Sequence, residues 1–158
     1  MLDAENAAFI QSGVSISVAS CGADRLPNLV RCLGCKLLDG GRRVGLFLSR
    51  SLAAALIADV EANRRVASVF SLPSTNRTLQ LKGADAEILP FDAADLPLIE
   101  QHIAAFFLEV EPEGVREPVV RTVLAYRPDD LVMLAFSPCA AFSQTPGPKA
   151  GQSLNGGA

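Results

Sequence analysis

The sequence predicts an α+β domain of mainly β character, a six-stranded antiparallel barrel with flanking helices. Three observations predict it. Short apolar segments of strand length recur as far as Leu89. The first three follow one another with no helix between them, which excludes a parallel βαβ sheet. Apolar residues make up 49% of the 158 residues and charged residues 20%, enough for one real core. Six such strands bury their apolar faces best by closing, and closure also removes the edges that template aggregation.

Each element has its own signal. Residues 14–19 alternate, with Val14, Ile16 and Val18 on one face and small residues on the other, as a half-buried strand does. After the turn residues 22–24, the alternation of 28–38 reads as one long second strand. Asp39-Gly40-Gly41 supplies the positive φ angles of a tight hairpin turn, so the third strand, 44–48, pairs antiparallel with the second. Ser49 or Ser51 caps a helix over 52–62, in which Leu52, Leu56, Ile57 and Val60 form one stripe, and Asn63 ends it. Residues 66–72 form a fourth strand and 77–89 a fifth, with Gly83 at a bulge and Pro90 as the stop.

Asp92 or Asp95 then caps a helix with Ile99, Ile103, Phe106 and Phe107 on one face. Pro112 and Gly114 separate it from a second helical segment carrying Val115, Val119, Val120 and Val123. The last strand is 131–136. From Ser137 onward Pro, Gly, Ser and Ala dominate, so one domain over 1–140 and a flexible tail over 141–158 are expected, with roughly the final ten residues disordered.

Composition excludes several functions. A net charge of −3 leaves no electrostatic footprint for nucleic acid. No apolar stretch approaches the roughly twenty residues that cross a bilayer, and residues 1–15 carry acids where a signal peptide is basic, so a cytoplasmic protein with no membrane partner is expected. Cys21, Cys32, Cys35 and Cys139 are too few and too irregular for a disulfide framework and read as reduced thiols. Cys32 and Cys35 face opposite sides of a strand, and no second Cys or His pair completes a zinc site, so no metal is expected. His102, the one histidine, sits mid-helix and reads as a structural or surface residue.

Three segments carry candidate chemistry. Arg31 lies on the Leu29, Leu33, Leu37 face of the second strand, where a guanidinium among leucines requires an anion; an internal carboxylate and a ligand phosphate answer that need equally well. Lys36 follows five residues later, on the opposite face of a regular strand unless Gly34 hosts a bulge. Leu48-Ser49-Arg50-Ser51 joins the third strand to a helix, where free amides and the helix dipole favour an anion, although an ordinary serine cap beside a solvated arginine reads the same way. Arg77-Thr78-Leu79-Gln80 puts polar side chains at alternate positions of a strand, facing a ligand groove or solvent.

Taken in order, these segments resemble the FMN-binding split-barrel family typified by pyridoxamine 5′-phosphate oxidase, over residues 9 to about 90. That family's Arg followed five residues later by Lys is matched by Arg31 and Lys36, its aromatic-Thr pair by Leu48-Ser49, and its Arg-Gln before a glycine-ended strand by Arg77-Thr78 leading to Gly83. Asn63-Arg64-Arg65-Val66 is similar to its Asn-Pro-x-Val helix exit. Two departures stand out. The family's adjacent Arg-Lys pair is replaced by Ala53, Ala54 and Ala55, with only Arg50 nearby, a loss of two charge-assisted contacts that weakens phosphate binding by roughly a hundredfold or more. The oxidase's carboxy-terminal Trp and Arg have no counterpart, so pyridoxamine phosphate is not the expected substrate.

The resemblance implies FMN as cofactor. It implies Arg31 on the flavin phosphate, Lys36 near phosphate or substrate, Leu48, Ser49 and Arg50 at the amide-donating helix start, and Thr78 or Gln80 on the ribityl chain or ring, with Arg77 also among the cofactor-binding residues. It further implies a homodimer with the cofactor site at the interface, and an FMN-dependent oxidoreductase whose small-molecule substrate or electron donor is unassigned. The alternative is a non-catalytic flavin or small-molecule binding or sensor protein on the same barrel, because fold does not settle function. A third reading is a decayed site on a domain that serves only in association.

Overall fold

The computed structural model describes residues 2–154. It is an α+β fold of two antiparallel sheets, with four α-helices and nine strands among the described residues. The strands are β1 (Ser15–Cys21), β2 (Pro27–Arg31), β3 (Cys35–Leu38), β4 (Arg43–Ser49), β5 (Val66–Ser71), β6 (Thr78–Gly83), β7 (Glu87–Pro90), β8 (Leu131–Phe136) and β9 (Pro138–Ser143). One sheet runs β2-β1-β5-β6-β9 and the other β3-β4-β8-β7. Six expected strands become nine because two long ones each divide at a corner and β9 was not foreseen.

The first corner shows how the barrel is split. The Cys32 amide still bonds to Ile16 of β1, at 2.9 Å, while the next amide, Leu33, already bonds to Phe47 of β4, at 2.9 Å. The chain therefore changes sheets between Cys32 and Leu33, just ahead of Gly34, whose φ of 147° suits glycine. The second corner follows Gly83, where the β6–β9 register shifts, as the expected bulge requires. The third lies at Ser137, whose amide donates to Asp85 Oδ1 at 2.8 Å.

The sheets enclose a core of Ile16, Val18, Leu46, Leu48, Phe70, Leu81, Leu134 and Phe136. A second cluster of Phe47, Ile99, Ile103, Val120, Leu124 and Met133 fills the space between the four-stranded sheet and the helices α3 (Leu96–Val110) and α4 (Glu117–Val123). Strand β8 is buried along its whole length, and β4 almost so, because both faces of their sheet are covered. Helix α2 (Ala54–Asn63) is tied to the β1–β2 hairpin by Asp59, which accepts from Ser20 Oγ at 2.6 Å and Asn28 Nδ2 at 2.7 Å. Helix α1 (Ala4–Ile10) was not expected from the sequence; Asp3 caps it by accepting the Asn6 amide.

Two local expectations are corrected. Neither Ser49 nor Ser51 caps α2, whose N-cap is Ala53, and Leu52 lies on the turn before it, 75% exposed. Strand β9 carries the sheet to Ser143, past the expected domain boundary at residue 140. Beyond it Gln144 bonds back to Thr78, and Leu154 to Ala141. Residues 155–158 lie outside the described residues. Among the described residues no helix is long and apolar enough to cross a membrane.

Candidate functional site

The structure corrects the burial expected for Arg31. Because 28–38 breaks at the corner, β2 is an edge strand, and its outer face has nothing packed on it: Leu29 is 71% exposed and Arg31 is exposed beside it. The guanidinium donates to Ser15 Oγ at 2.9 Å and makes no ion pair among the described residues. It stands at a cleft of about 240 Å³ lined chiefly by Leu29, Leu33, Ser49, Leu52 and Val123. One unneutralised cation at the rim of a mostly apolar cleft is a place for an anionic group on an apolar body.

Lys36 takes no part in this cleft. Its ammonium pairs with Asp95 in the turn before α3, and both side chains are largely buried. That contact explains why Asp95 stands at the start of α3 without capping it, while Asp92 caps the preceding turn through the Ala94 amide.

Leu48 points into the barrel core and is fully buried. Ser49 lines the cleft, but its hydroxyl donates to Asp130 Oδ2 at 2.5 Å. Ser51 gives the same carboxylate its hydroxyl, at 2.6 Å, and its amide, at 3.0 Å. The Arg50 amide bonds the Asp130 carbonyl at 2.7 Å, while the Arg50 side chain is exposed. Hydroxyl bonds from Ser49 first and Ser51 next hold the Asp130 carboxyl below the usual carboxylate range. The anion in this turn before α2 is thus one of the chain's own.

Arg77 and Thr78 border a separate cleft of about 430 Å³, with Glu5, Asn6, Ser143 and Thr145. The Arg77 guanidinium pairs with Glu5 at 3.0 Å and lies over the Phe9 ring, 4.3 Å from its centre. Gln80 sits in one row with Val69, Ser17 and Arg31 across the outer face of the five-stranded sheet. Three strand spacings separate Gln80 from Arg31, about 14 Å. Of the eight expected site residues, then, Arg31 and Ser49 share one cleft, Arg77 and Thr78 another, and Lys36, Leu48, Arg50 and Gln80 line neither.

Sequence reasoning missed Asp130 and read Asp95 only as a candidate helix cap, not as the partner of Lys36. The pairing of Ser49 with Leu131 brings Asp130 beside the helix start, so the acidic pair Asp129-Asp130 ahead of β8 was the available signal. His102 is only 8% exposed and packs against Gly34; burial first, and the nearby Arg31 charge second, push its imidazole down to about 4. It lines a third cleft with Gln11, Cys35 and Gln101. Cys35 is pushed up to about 12 by burial, and its thiol donates to the Ile10 carbonyl. No group of three or more His, Cys, Asp or Glu that could hold a metal ion occurs among the described residues.

No family model matches the sequence, and no curated protein does. Solved structures do match. An F420 reductase aligns with a TM-score of 0.57 at 17% identity, over 85% of this chain and 93% of its own. HupZ of Group A Streptococcus aligns with a TM-score of 0.57 at 16% identity, over 96% of this chain and 100% of its own. A candidate pyridoxamine 5′-phosphate oxidase from Lactobacillus delbrueckii aligns with a TM-score of 0.55 at 13% identity, over 89% and 93%. The chain has the split-barrel fold of pyridoxamine 5′-phosphate oxidase-related proteins. At these identities the likeness is one of fold, and the split barrel of this chain arranges its own cations differently from the expected pattern: Lys36 and Arg77 are both matched to internal acids.

Proposed function

We propose that this split barrel binds a flavin-type cofactor in the cleft beside β2, with FMN the form the sequence resemblance implies, and uses it in electron or hydride transfer to a small molecule in the cytoplasm. The observation that carries this reading is the Arg31 guanidinium, without a carboxylate, at the rim of a cleft walled by Leu29, Leu33, Leu52 and Val123. An apolar ring system suits those walls, and a phosphate at the end of its side chain suits the cation. The donor set fits the group through Arg31; Lys36 and Arg77, expected to help it, are engaged elsewhere. The fold shared with an F420 reductase and with a candidate pyridoxamine 5′-phosphate oxidase supports the same class of ligand.

The cofactor, once bound, supplies the redox chemistry, and this chain's residues supply placement. Arg31 neutralises the negative end, and the leucine walls exclude water. The 240 Å³ cleft is smaller than the roughly 300 to 1,000 Å³ of a typical ligand pocket, so one protomer holds only part of the molecule. The exposed Leu29, Leu52 and Val123 around the cleft supply an apolar face for a second copy, which completes the site in a homodimer.

A second reading, a non-catalytic binding or sensor protein on the same barrel, is favoured by the capture of Lys36 and Arg77 by internal acids. Visible absorbance of the purified protein, followed by quenching of added FMN fluorescence, tests binding. A yellow protein, or saturable quenching, supports the proposal, and a colourless protein that ignores FMN overturns it. Anaerobic mixing with NADH or NADPH then separates the two readings, because only the oxidoreductase bleaches its flavin.

A further inference from the structure

We infer that Asp130 is a specificity-determining residue of the cleft, one that sets it against a terminal phosphate. The inference rests on the flavin reading above and deepens it. In the turn before α2, two hydroxyls and one amide converge on one carboxylate. Asp130 accepts the Ser49 hydroxyl at 2.5 Å, the Ser51 hydroxyl at 2.6 Å and the Ser51 amide at 3.0 Å. Ser49 is at the same time a wall of the cleft that holds Arg31. These three donors are therefore spent on a fixed negative charge.

The electrostatic consequence follows from signs. A phosphate monoester is close to doubly negative at neutral pH. In this cleft it meets one attractive charge at the rim, Arg31, and one repulsive charge behind the Ser49 wall, Asp130, whose ionised form is favoured by the hydroxyl bonds of Ser49 first and Ser51 next. Of the other expected cations, Lys36 is held by Asp95 and Arg77 by Glu5, and the exposed Arg50 is not among the residues lining the cleft. Attraction and repulsion oppose each other at the phosphate and leave the ring untouched. The cleft accordingly selects its ligand by the ring, and the ligand class it prefers is a flavin whose side chain need not end in a phosphate dianion.

The test uses riboflavin and FMN, which share the ring and differ in the phosphate, titrated against the full-length protein by quenching of flavin fluorescence. The native protein binds FMN no more than about threefold tighter than riboflavin. Asp130→Asn removes the charge while retaining an oxygen for the Ser51 amide, and it tightens FMN at least tenfold with riboflavin unchanged within twofold. Asp130→Ser serves the same purpose if Asn does not fold. Asp129→Asn, which alters the neighbouring carboxylate paired with Arg127, changes neither ligand. Flavins that both bind, with an FMN-to-riboflavin ratio that Asp130→Asn and Asp130→Ser leave in place, overturn the role of Asp130 and leave the flavin reading standing. Failure of both flavins to bind any variant overturns the flavin reading and this inference with it.

Discussion

The ammonium of Lys36 rests on the carboxylate of Asp95, fastening the four-stranded sheet to the turn that opens α3. Both groups are largely shielded, so removing one leaves the other charge buried and uncompensated. Lys36→Ala is expected to lower unfolding free energy by about 2 kcal/mol in urea titrations, below the full cost of a completely buried pair because some solvent reaches both ends. Flavin binding is expected to stay within twofold of the native protein. A variant of native stability that has lost flavin would return Lys36 to the site.

His102 gives the fold a dependence on pH of defined sign. Its folded value, about 4, lies below the ordinary 6.5, so the unfolded chain takes up a proton more readily than the folded one. The stability it contributes is whole above pH 6.5, falls as pH drops from there toward 4, and is spent below that. The linked loss amounts to roughly 3 kcal/mol. Urea midpoints at pH 7, 5.5 and 4.5 for the native protein and His102→Gln measure this. The variant is expected to show the flatter profile; parallel profiles would mean that another group carries the dependence.

Gly83 stands where β6 turns its corner against the fully buried ring of Phe136. A Cβ added there would lie 2.5 Å from Phe136 Cδ2 and 3.0 Å from its Cβ. The ring is fixed in the core and cannot swing clear, so Gly83→Ala is expected to cost about 1–3 kcal/mol, read as a lower urea midpoint. An unchanged midpoint would show that the corner relaxes freely.

Much of the fold was legible because local pattern and burial agree along it. Val14, Ile16 and Val18 alternate into the core as their spacing demands, and the turn at Asp39-Gly40-Gly41 joins β3 to β4 as its glycines require. What pattern could not show is where a strand changes sheets. Leu29 and Leu37 carry the same alternation, yet a corner at Gly34 lies between them, so one lies exposed on an edge strand while the other packs against the core. The error in Arg31 followed from that, since its burial was inferred from its neighbours in sequence. The acids that matter, Asp95 and Asp130, meet Lys36 and Ser49 only through strand pairing and helix docking, which no short window contains.

The account turns on Arg31 as the group that receives the ligand's negative end. FMN titrated into native protein and into Arg31→Ala, followed by quenching of flavin fluorescence, measures this directly. The account predicts saturable quenching with the native protein and a dissociation constant at least tenfold weaker in the variant, about 1.4 kcal/mol, with riboflavin affinity unmoved. An FMN dissociation constant that Arg31→Ala does not alter would contradict it.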